Sequence, residues 1–392
     1  MSPLFRSFYM AGFECATGRN VHGEWIDQIR ATEHDDRADG DYALLRGIGI
    51  ECVREAVRWP LVDRAGCYDF SSLAPFIAAA KQRRMQVIWD LFHYGYPEEL
   101  DPFSAQFAQR FARYAQAAAH HVREQLPGPH FFTPINEASY FAWAAGEVGH
   151  FGPHQIGRGH ELKLSLARAA LLGIDAIRAV CPKARFVTVD PLCHVVPPLE
   201  ASKSELRRVE EFNRDVVFQF LDIVAGRSMP ELGGDQSCLD IVGINYYASN
   251  QWELDHPERP LSPTDPRKRQ LADLVKDVAW RYGRPVLISE TAGLGAARED
   301  WLDQLSDTAV QLLEAGVPLV GVCLYPVLGM PEWHDRERWA RMGLWDLEPG
   351  PKGLERCPSL PVLGALERAQ AAMEALCVSQ RSTAAPLAQA RR

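Results

Sequence analysis

The chain has 392 residues, of which 47% are hydrophobic, so it can bury a large core and global disorder is excluded. Its 42 lysines and arginines are outnumbered by 51 aspartates and glutamates, which gives a formal net charge of −9. No basic run is longer than Arg267-Lys268-Arg269. This balance argues against a nucleic-acid partner, because such a surface needs clustered positive charge.

Cysteine usage and hydropathy narrow the class of protein further. The nine cysteines are scattered and contain no Cys-x-x-Cys pair, so we expect reduced thiols and no structural zinc. The segment Glu33–Asp36 has metal-binding residue types, but we interpret it as a polar loop before a helix. Residues Met1–Met10 lack a signal-peptide core, and no stretch approaches the roughly 18 apolar residues of a membrane helix. We therefore expect a cytoplasmic protein with no membrane contact and no metal or other cofactor.

Short apolar segments alternate with longer amphipathic segments along the chain, a pattern typical of βα units around a parallel sheet. The eight predicted strands are Tyr9–Cys15, Glu51–Val57, Gln86–Leu91, His130–Asn136, Arg185–Asp190, Asp240–Tyr246, Pro285–Ser289 and Val320–Tyr325. The predicted helices are Arg37–Gly47, Ser71–Arg84, Phe103–Gln125, Leu162–Cys181, Ser204–Ala225, Lys268–Tyr282, Glu299–Ala315 and Leu360–Leu376. Eight alternations without a break in composition predict one α/β domain, a single (β/α)8 TIM barrel with long βα loops. We assign it residues 1–377 and expect residues 378–392 to form a disordered tail.

Two glutamates, Glu137 and Glu290, each end a predicted strand. A carboxylate at the end of a buried strand costs several kcal/mol unless it is paired or hydrogen-bonded. It is expected in a barrel enzyme, whose chemistry lies where the strands end. Two carboxylates that face one sugar are the machinery of glycoside hydrolysis. The long fourth and eighth loops, 138–159 and 326–348, are rich in aromatic residues that suit the C–H faces of sugar rings.

Several motifs at the strand ends carry a family resemblance. Thr133–Glu137 is similar to Thr-x-Asn-Glu-Pro, and Ile288–Gly293 is similar to a segment that contains Thr-Glu-Asn-Gly. Asp90–Pro97 is similar to Leu-His-His-Trp-Asp-Leu-Pro, and Gly243–Tyr247 to Gly-x-Asn-Tyr-Tyr. Tyr325–Trp333 is similar to Trp-Ser-Leu-x-Asp-Asn-Phe-Glu-Trp. In this order, across about residues 10–350, the chain resembles clan A glycoside hydrolases and most closely glycoside hydrolase family 1, the β-glucosidase family.

The resemblance implies roles for individual residues. Glu290 would be the nucleophile and Glu137 the acid/base, with Arg54 and Tyr247 supporting the nucleophile. The residues expected to bind substrate are Arg54, His93, Asn136, Asn245, Tyr247, Tyr325, Glu332 and Trp333.

The chain also departs from the family at three places. Ala138 replaces the proline after the acid/base glutamate, and Tyr325 replaces a tryptophan that contacts the glycone, the sugar unit at the reacting carbon. The N-terminal glutamine of the family has no evident counterpart, and we weigh Asn20 or His22 as substitutes.

These observations predict a retaining β-glycosidase that hydrolyses a small β-glucoside or a related oligosaccharide or glycoconjugate through a covalent glycosyl-enzyme. Glu332 and Trp333 lie where the family binds unmodified hydroxyls, which disfavours a 6-phosphoglycoside. One alternative is a transglycosylase that uses the same glutamates. Another is a non-catalytic carbohydrate-binding barrel accessory to polysaccharide or glycoside biosynthesis. The sequence leaves the sugar, the chain length of the substrate and the oligomeric state open.

Overall fold

A closed barrel of eight parallel strands forms the centre of the molecule, which we describe from a computed structural model over residues 4–389, with side chains to residue 379. Its strands are β1 (Tyr9–Gly12), β2 (Cys52–Ala56), β3 (Gln86–Asp90), β4 (Phe131–Thr133), β5 (Arg185–Pro191), β6 (Ile241–Asn245), β7 (Val286–Thr291) and β8 (Leu319–Leu324). Neighbouring strands follow the order β1-β8-β7-β6-β5-β4-β3-β2, and β1 closes the ring by pairing with both β8 and β2. The predicted TIM barrel is confirmed.

An outer layer of helices surrounds the barrel. None of the helices described is long and apolar enough to cross a membrane. The main helices are α1 (His34–Gly47), α2 (Ala74–Arg83), α3 (Ala105–Gln125), α4 (Gly159–Val180), α5 (Lys203–Glu211), α6 (Gln219–Val224), α7 (Leu271–Tyr282), α8 (Arg298–Glu314) and α9 (Leu360–Gln389). Single helical turns occur at Gln28–Ala31, Trp59–Val62 and Ala138–Phe141, and π-helical turns at Ala142–Glu147 and Phe212–Val216.

Several predicted elements differ from the structure. The first strand, predicted to extend to Cys15, ends at Gly12, and residues 34–36, interpreted as part of a polar loop, form the first turn of α1. The fourth strand ends at Thr133 instead of Asn136, because Pro134 has no N–H to donate to a neighbouring strand. The predicted helix Ser204–Ala225 is divided into α5 and α6 by a π-helical turn. No residue of α5 is buried, so this helix does not pack on the barrel wall; the Ser202–Glu205 capping box stabilises its start.

Two layers of apolar side chains form the core. The barrel interior is filled by Phe5, Met10, Cys52, Ile88, Phe131, Val187, Val189, Ile241, Leu287 and Cys323. A larger layer lies between the strands and the helices. There α3 and α4 pack closely because Gly173 leaves room for the Phe111 ring, which a Cβ at residue 173 would meet at 2.7 Å.

Small two-stranded sheets lie outside the barrel. They pair Thr17–Arg19 with Trp25–Asp27, Asp63–Arg64 with Cys67–Tyr68, His194–Val196 with Gln251–Glu253, Met330–Pro331 with Trp339–Ala340, and Trp345–Gly350 with Gly353–Pro358. A disordered tail was predicted for residues 378–392, whereas residues 378–389 continue α9, and residues 390–392 lie outside the described residues. The domain boundary after residue 377 stays a prediction.

Candidate active site

A β-bulge near the end of β7 positions Glu290. Asn245 of β6 pairs with Glu290, whereas the preceding residue Ile244 pairs with Ile288, so Ser289 is an extra residue in β7. Such a bulge re-aims the side chains beside it. The Ser289 hydroxyl donates to the Asn245 carboxamide oxygen at 2.7 Å, which ties the bulge to β6. Glu290 is only 3% exposed.

The backbone at Glu137 is in the left-handed conformation, with φ 49° and ψ 53°. This conformation is costly for a residue with a Cβ, and such residues cluster at functional sites. Here the surrounding backbone holds it: Asn136 N–H donates to the Phe92 carbonyl at 2.9 Å, and Glu137 N–H donates to the Val189 carbonyl at 3.1 Å. As a result Glu137 points into the barrel mouth and is 8% exposed.

Arg54 of β2 connects most of the predicted site. Its guanidinium is fully buried and donates to Glu290 Oε1 at 2.8 Å, Asp90 Oδ2 at 2.9 Å and Asn136 Oδ1 at 3.0 Å. Tyr247 donates to the other Glu290 oxygen at 3.1 Å. Glu290 therefore has a cation on one carboxylate oxygen and a hydroxyl donor on the other, an arrangement that favours its ionised form.

Glu137 has the opposite electrostatic environment. No cation pairs with it among the described side chains; it accepts a hydrogen bond from the Tyr94 hydroxyl at 2.5 Å and lies near the Asn245 amide. Burial, together with the negative charge of Glu290, raises the Glu137 pKa from 4.5 to about 8. At neutral pH Glu137 holds a proton while Glu290 has its cation, and two carboxyl groups in such different environments can act as acid and nucleophile.

His93 lies beside these carboxylates and forms the adjoining wall of the site. Its Nδ1 is 3.2 Å from Asp90 Oδ2, and its Nε2 is 3.4 Å from the Asn136 amide and 3.8 Å from Glu14 Oε1. Burial favours the neutral imidazole, but the hydrogen bond and charge of Asp90, with help from Glu14, raise the His93 pKa to about 9.

Tyr325 and Trp333 bring aromatic surface to the same place. The Tyr325 ring stacks with His93 at 5.9 Å between centroids and lies 5.3 Å from the Arg54 guanidinium carbon. Only glycine is tolerated at residue 12, because a Cβ there would approach the Tyr325 ring to 2.1 Å. Burial raises the pKa of the Glu14 carboxyl, and the buried indole N–H of Trp333 lies near it without reaching hydrogen-bond geometry with any described group. This N–H is a free donor for a ligand.

The structure brings nine of the ten predicted site residues together and leaves one apart. Glu332 forms an ion pair with Arg338 Nε at 3.0 Å at the rim, where its side chain is 36% exposed. Of the two substitutes weighed for the family's glutamine, Asn20 is buried and contacts the site through the backbone of Trp333: its Nδ2 donates to the Trp333 carbonyl at 3.1 Å, while its Oδ1 accepts from the backbone of residues 22 and 24. His22 is exposed. Because Glu332 pairs with Arg338, its position does not disfavour a 6-phosphoglycoside.

Two site residues were missed in the sequence. Glu14 lies just past the end of β1, is buried and faces His93. The predicted first strand extended to Cys15, so Glu14 was counted within a strand and not at its end. Tyr94 follows His93 directly, and its hydroxyl reaches Glu137 because its backbone has φ 73°. The one indication in the sequence was that Tyr94 lies next to His93, a predicted site residue.

The site shows little suitability for a metal. Cys15, Asp90 and His93 present ligand atoms within 4.8 Å of one another. Asp90 is however paired with Arg54, and the Cys15 thiol donates to the Phe13 carbonyl at 2.8 Å. Burial raises the pKa of that thiol well above its usual range, which disfavours the thiolate that a metal requires.

Fold and site together define a TIM barrel with paired carboxylates at the carboxyl ends of β4 and β7, the side on which enzymes of this fold bind their substrates. No protein-family model matches the chain. A curated relative, a β-glucosidase from Agrobacterium sp. (strain ATCC 21400), is 24% identical over 308 residues. The alignment spans 70% of this chain but 64% of the relative, less than two thirds of the relative's length.

Comparison with solved structures shows that the chain shares its fold with known β-glucosidases. The family 1 β-glucosidase from Thermotoga maritima superposes with a TM-score of 0.73 at 16% identity, covering 92% of this chain and 96% of that one. In complex with glucoimidazole it gives a TM-score of 0.74 at 16% identity, over 93% and 98% of the two chains. The AHE enzyme from Alicyclobacillus herbarius gives 0.73 at 17% identity, over 94% and 98%. The predicted resemblance to family 1 β-glucosidases is confirmed.

Proposed function

We propose that the protein is a retaining β-glycosidase that acts on a small β-glucoside or a related oligosaccharide or glycoconjugate. The observation that carries this proposal is the difference between the two buried glutamates. Glu290 is held by Arg54 and Tyr247 as an anion, whereas Glu137 keeps its proton because it is buried beside that anion. A retaining glycosidase needs one carboxylate of each kind on opposite sides of the scissile bond.

In the first step Glu290 attacks the anomeric carbon and Glu137 donates its proton to the leaving oxygen. The bond from carbon to the leaving group breaks, and an ester forms between the sugar and Glu290. Esterification removes the negative charge that helped to raise the Glu137 pKa. Glu137 therefore ionises more readily in the glycosyl-enzyme, which suits its second role as the base that activates water.

The glycone would lie against Asn136, His93, Glu14 and Trp333. Asn136 is placed to hold the sugar 2-hydroxyl, a contact that strengthens in the transition state. The Trp333 indole N–H offers a free donor, and the neighbouring Glu14 carboxylate offers an acceptor. An adjacent donor and acceptor match two neighbouring hydroxyls of a sugar. The named β-glucosidase relatives support glucose as the first glycone to test.

Transglycosylation is the second candidate, and the aromatic fourth loop supports it. Tyr140 packs against both Trp143 and Trp333, with ring centroids 5.8 and 6.1 Å apart, and Trp143 is 38% exposed. This wall lies on the Glu137 side, where a leaving group exits and an acceptor enters. A sugar stacked there would attack the glycosyl-enzyme in place of water.

The test is turnover of 4-nitrophenyl β-glycosides, with the anomer of the first-formed product read by proton NMR. We expect hydrolysis with retention of the β configuration, and loss of nearly all turnover in Glu290→Ala. Glu124→Gln is the matched control, since that carboxylate is exposed on α3, where it faces His120, and should be dispensable. An α product would refute the mechanism, and ordinary rates in Glu290→Ala would refute the assignment. Products longer than the substrate in the presence of acceptor sugars would establish transfer.

A further inference from the structure

Tyr94 makes the closest side-chain contact to Glu137, with its hydroxyl 2.5 Å from Oε2. The residue is 2% exposed and fixed by its neighbours. Its ring stacks on Phe141 at 5.5 Å and meets the Trp333 ring edge-on at 5.7 Å. In the family motif the residue after the histidine is tryptophan, which has no hydroxyl. The contact is therefore a feature of this chain's own sequence.

We propose that Tyr94 is a positioning residue for the acid/base, holding one Glu137 oxygen so that the other faces the leaving group. The inference rests on the proposed function of Glu137. With Oε2 occupied by the Tyr94 hydroxyl, the proton to be transferred resides on Oε1. Free rotation of the carboxyl is also prevented, which keeps the proton near the glycosidic oxygen in both steps.

The same hydroxyl opposes the other influences on Glu137. A donor to a carboxylate favours its ionised form. Burial and the charge of Glu290 favour the protonated form, whereas Tyr94, Asn245 and His93 act in the other direction. Burial and the Glu137 charge raise the Tyr94 pKa well above its usual range, so Tyr94 remains a donor throughout the working pH range. The remaining titratable groups that face Glu137 are Tyr140, Cys193 and Tyr247, all with raised pKa values and hence neutral.

Removal of this hydroxyl makes a specific prediction for the pH profile. A hydrogen bond to a charged group is worth enough to move a carboxyl pKa by about one unit or more. In Tyr94→Phe the alkaline limb of kcat/KM, which reports loss of the Glu137 proton, should move to higher pH by about that amount. The acidic limb should stay in place, because it does not report the Glu137 proton. The rate at the optimum should fall about tenfold through lost positioning.

The experiment compares Tyr94→Phe with Tyr96→Phe, which removes a hydroxyl from the same loop but lies away from Glu137, against Phe107. Both variants are profiled with 4-nitrophenyl β-glucoside, and the Glu137 pKa is titrated by NMR of 13C-carboxyl-labelled glutamate, assigned through Glu137→Gln. We expect the limb and the NMR pKa to rise in Tyr94→Phe and to match wild type in Tyr96→Phe. An unchanged NMR pKa in Tyr94→Phe overturns the inference. A raised NMR pKa in a protein without turnover overturns the proposed function and leaves the contact established.

Discussion

Substitution of Glu137 by glutamine should make the protein more stable, by an amount that grows with pH. In the folded protein burial and the Glu290 charge raise the Glu137 pKa from 4.5 to about 8. In the unfolded chain the same group ionises near 4.5. Between these values the folded state binds a proton that the unfolded state has lost. Stability contributed by this residue therefore falls as pH rises through that window.

The size of the effect follows from the shift. The Glu137 pKa rises from 4.5 to about 8 on folding, a shift of about 3.5 units, and each unit is worth about 1.4 kcal/mol. Above pH 8 the buried carboxyl therefore lowers the free energy of unfolding by about 5 kcal/mol. At pH 5 the same carboxyl lowers the free energy of unfolding by less than about 1 kcal/mol. Glutamine keeps the shape and can still accept from Tyr94, but it never ionises. The variant should match wild type near pH 5 and exceed its stability by several kcal/mol at pH 8.

Urea unfolding followed by tryptophan fluorescence at pH 5, 6.5 and 8 measures this difference. Glu290→Gln is the matched comparison, because it removes the carboxylate that pairs with buried Arg54. Loss of one partner of a buried ion pair typically costs about 3–5 kcal/mol, so this variant should be less stable than wild type. A higher free energy of unfolding in Glu137→Gln and a lower one in Glu290→Gln would support the environments assigned to the two glutamates. A Glu137→Gln variant no more stable than wild type at pH 8 would refute the reasoning.

Three further predictions concern single contacts. Tyr247→Phe removes the hydroxyl that donates to Glu290 at 3.1 Å, so kcat/KM should fall about tenfold to a hundredfold. An unchanged kcat/KM would show that this hydrogen bond does not contribute to catalysis. Glu14→Gln removes a charge 3.8 Å from His93 and should lower the His93 pKa from about 9, as read by NMR titration; a rise would contradict the arrangement. His34 is buried between Asp41 and Glu55 with a pKa of about 9. The stability that its charge contributes is complete below pH 6.5 and lost as pH rises through 9. The deficit of His34→Gln in urea unfolding, about 3–5 kcal/mol, should therefore be largest at low pH, and a constant deficit would contradict this.

The strand pattern and the strand-end residues were predictable from the sequence because they follow simple periodicities. Each buried parallel strand is a short apolar segment, and its last residues point into the barrel mouth, so Glu137, Glu290, Arg54 and His93 could be placed at one end. The division of the fifth predicted helix was not predictable in this way. Its amphipathic pattern continues through the π-helical turn at Phe212–Val216, where only the local backbone changes.

The site residues that sequence reasoning missed or misplaced depend on loop backbone. Glu14 becomes a site residue because β1 ends at Gly12, earlier than its apolar run suggests. Tyr94 reaches Glu137 through a positive φ, which a tyrosine rarely adopts and which composition does not signal. Glu332 leaves the expected position because Arg338, six residues on in the same loop, pairs with it. Such contacts are set by the folded loop and not by spacing along the chain.

The proposed mechanism requires a covalent bond between Glu290 and the sugar. Incubation with 2-deoxy-2-fluoro-β-glucosyl fluoride would trap this bond, because loss of the 2-hydroxyl slows both steps while the fluoride leaving group still allows the first. We expect a one-to-one mass adduct on the intact protein, located at Glu290 by peptide mapping and absent in Glu290→Gln. An adduct at another residue would contradict the assignment. Sugar binding without an adduct from glucosyl, galactosyl, mannosyl and fucosyl probes would instead identify a barrel that binds carbohydrate without cleaving it.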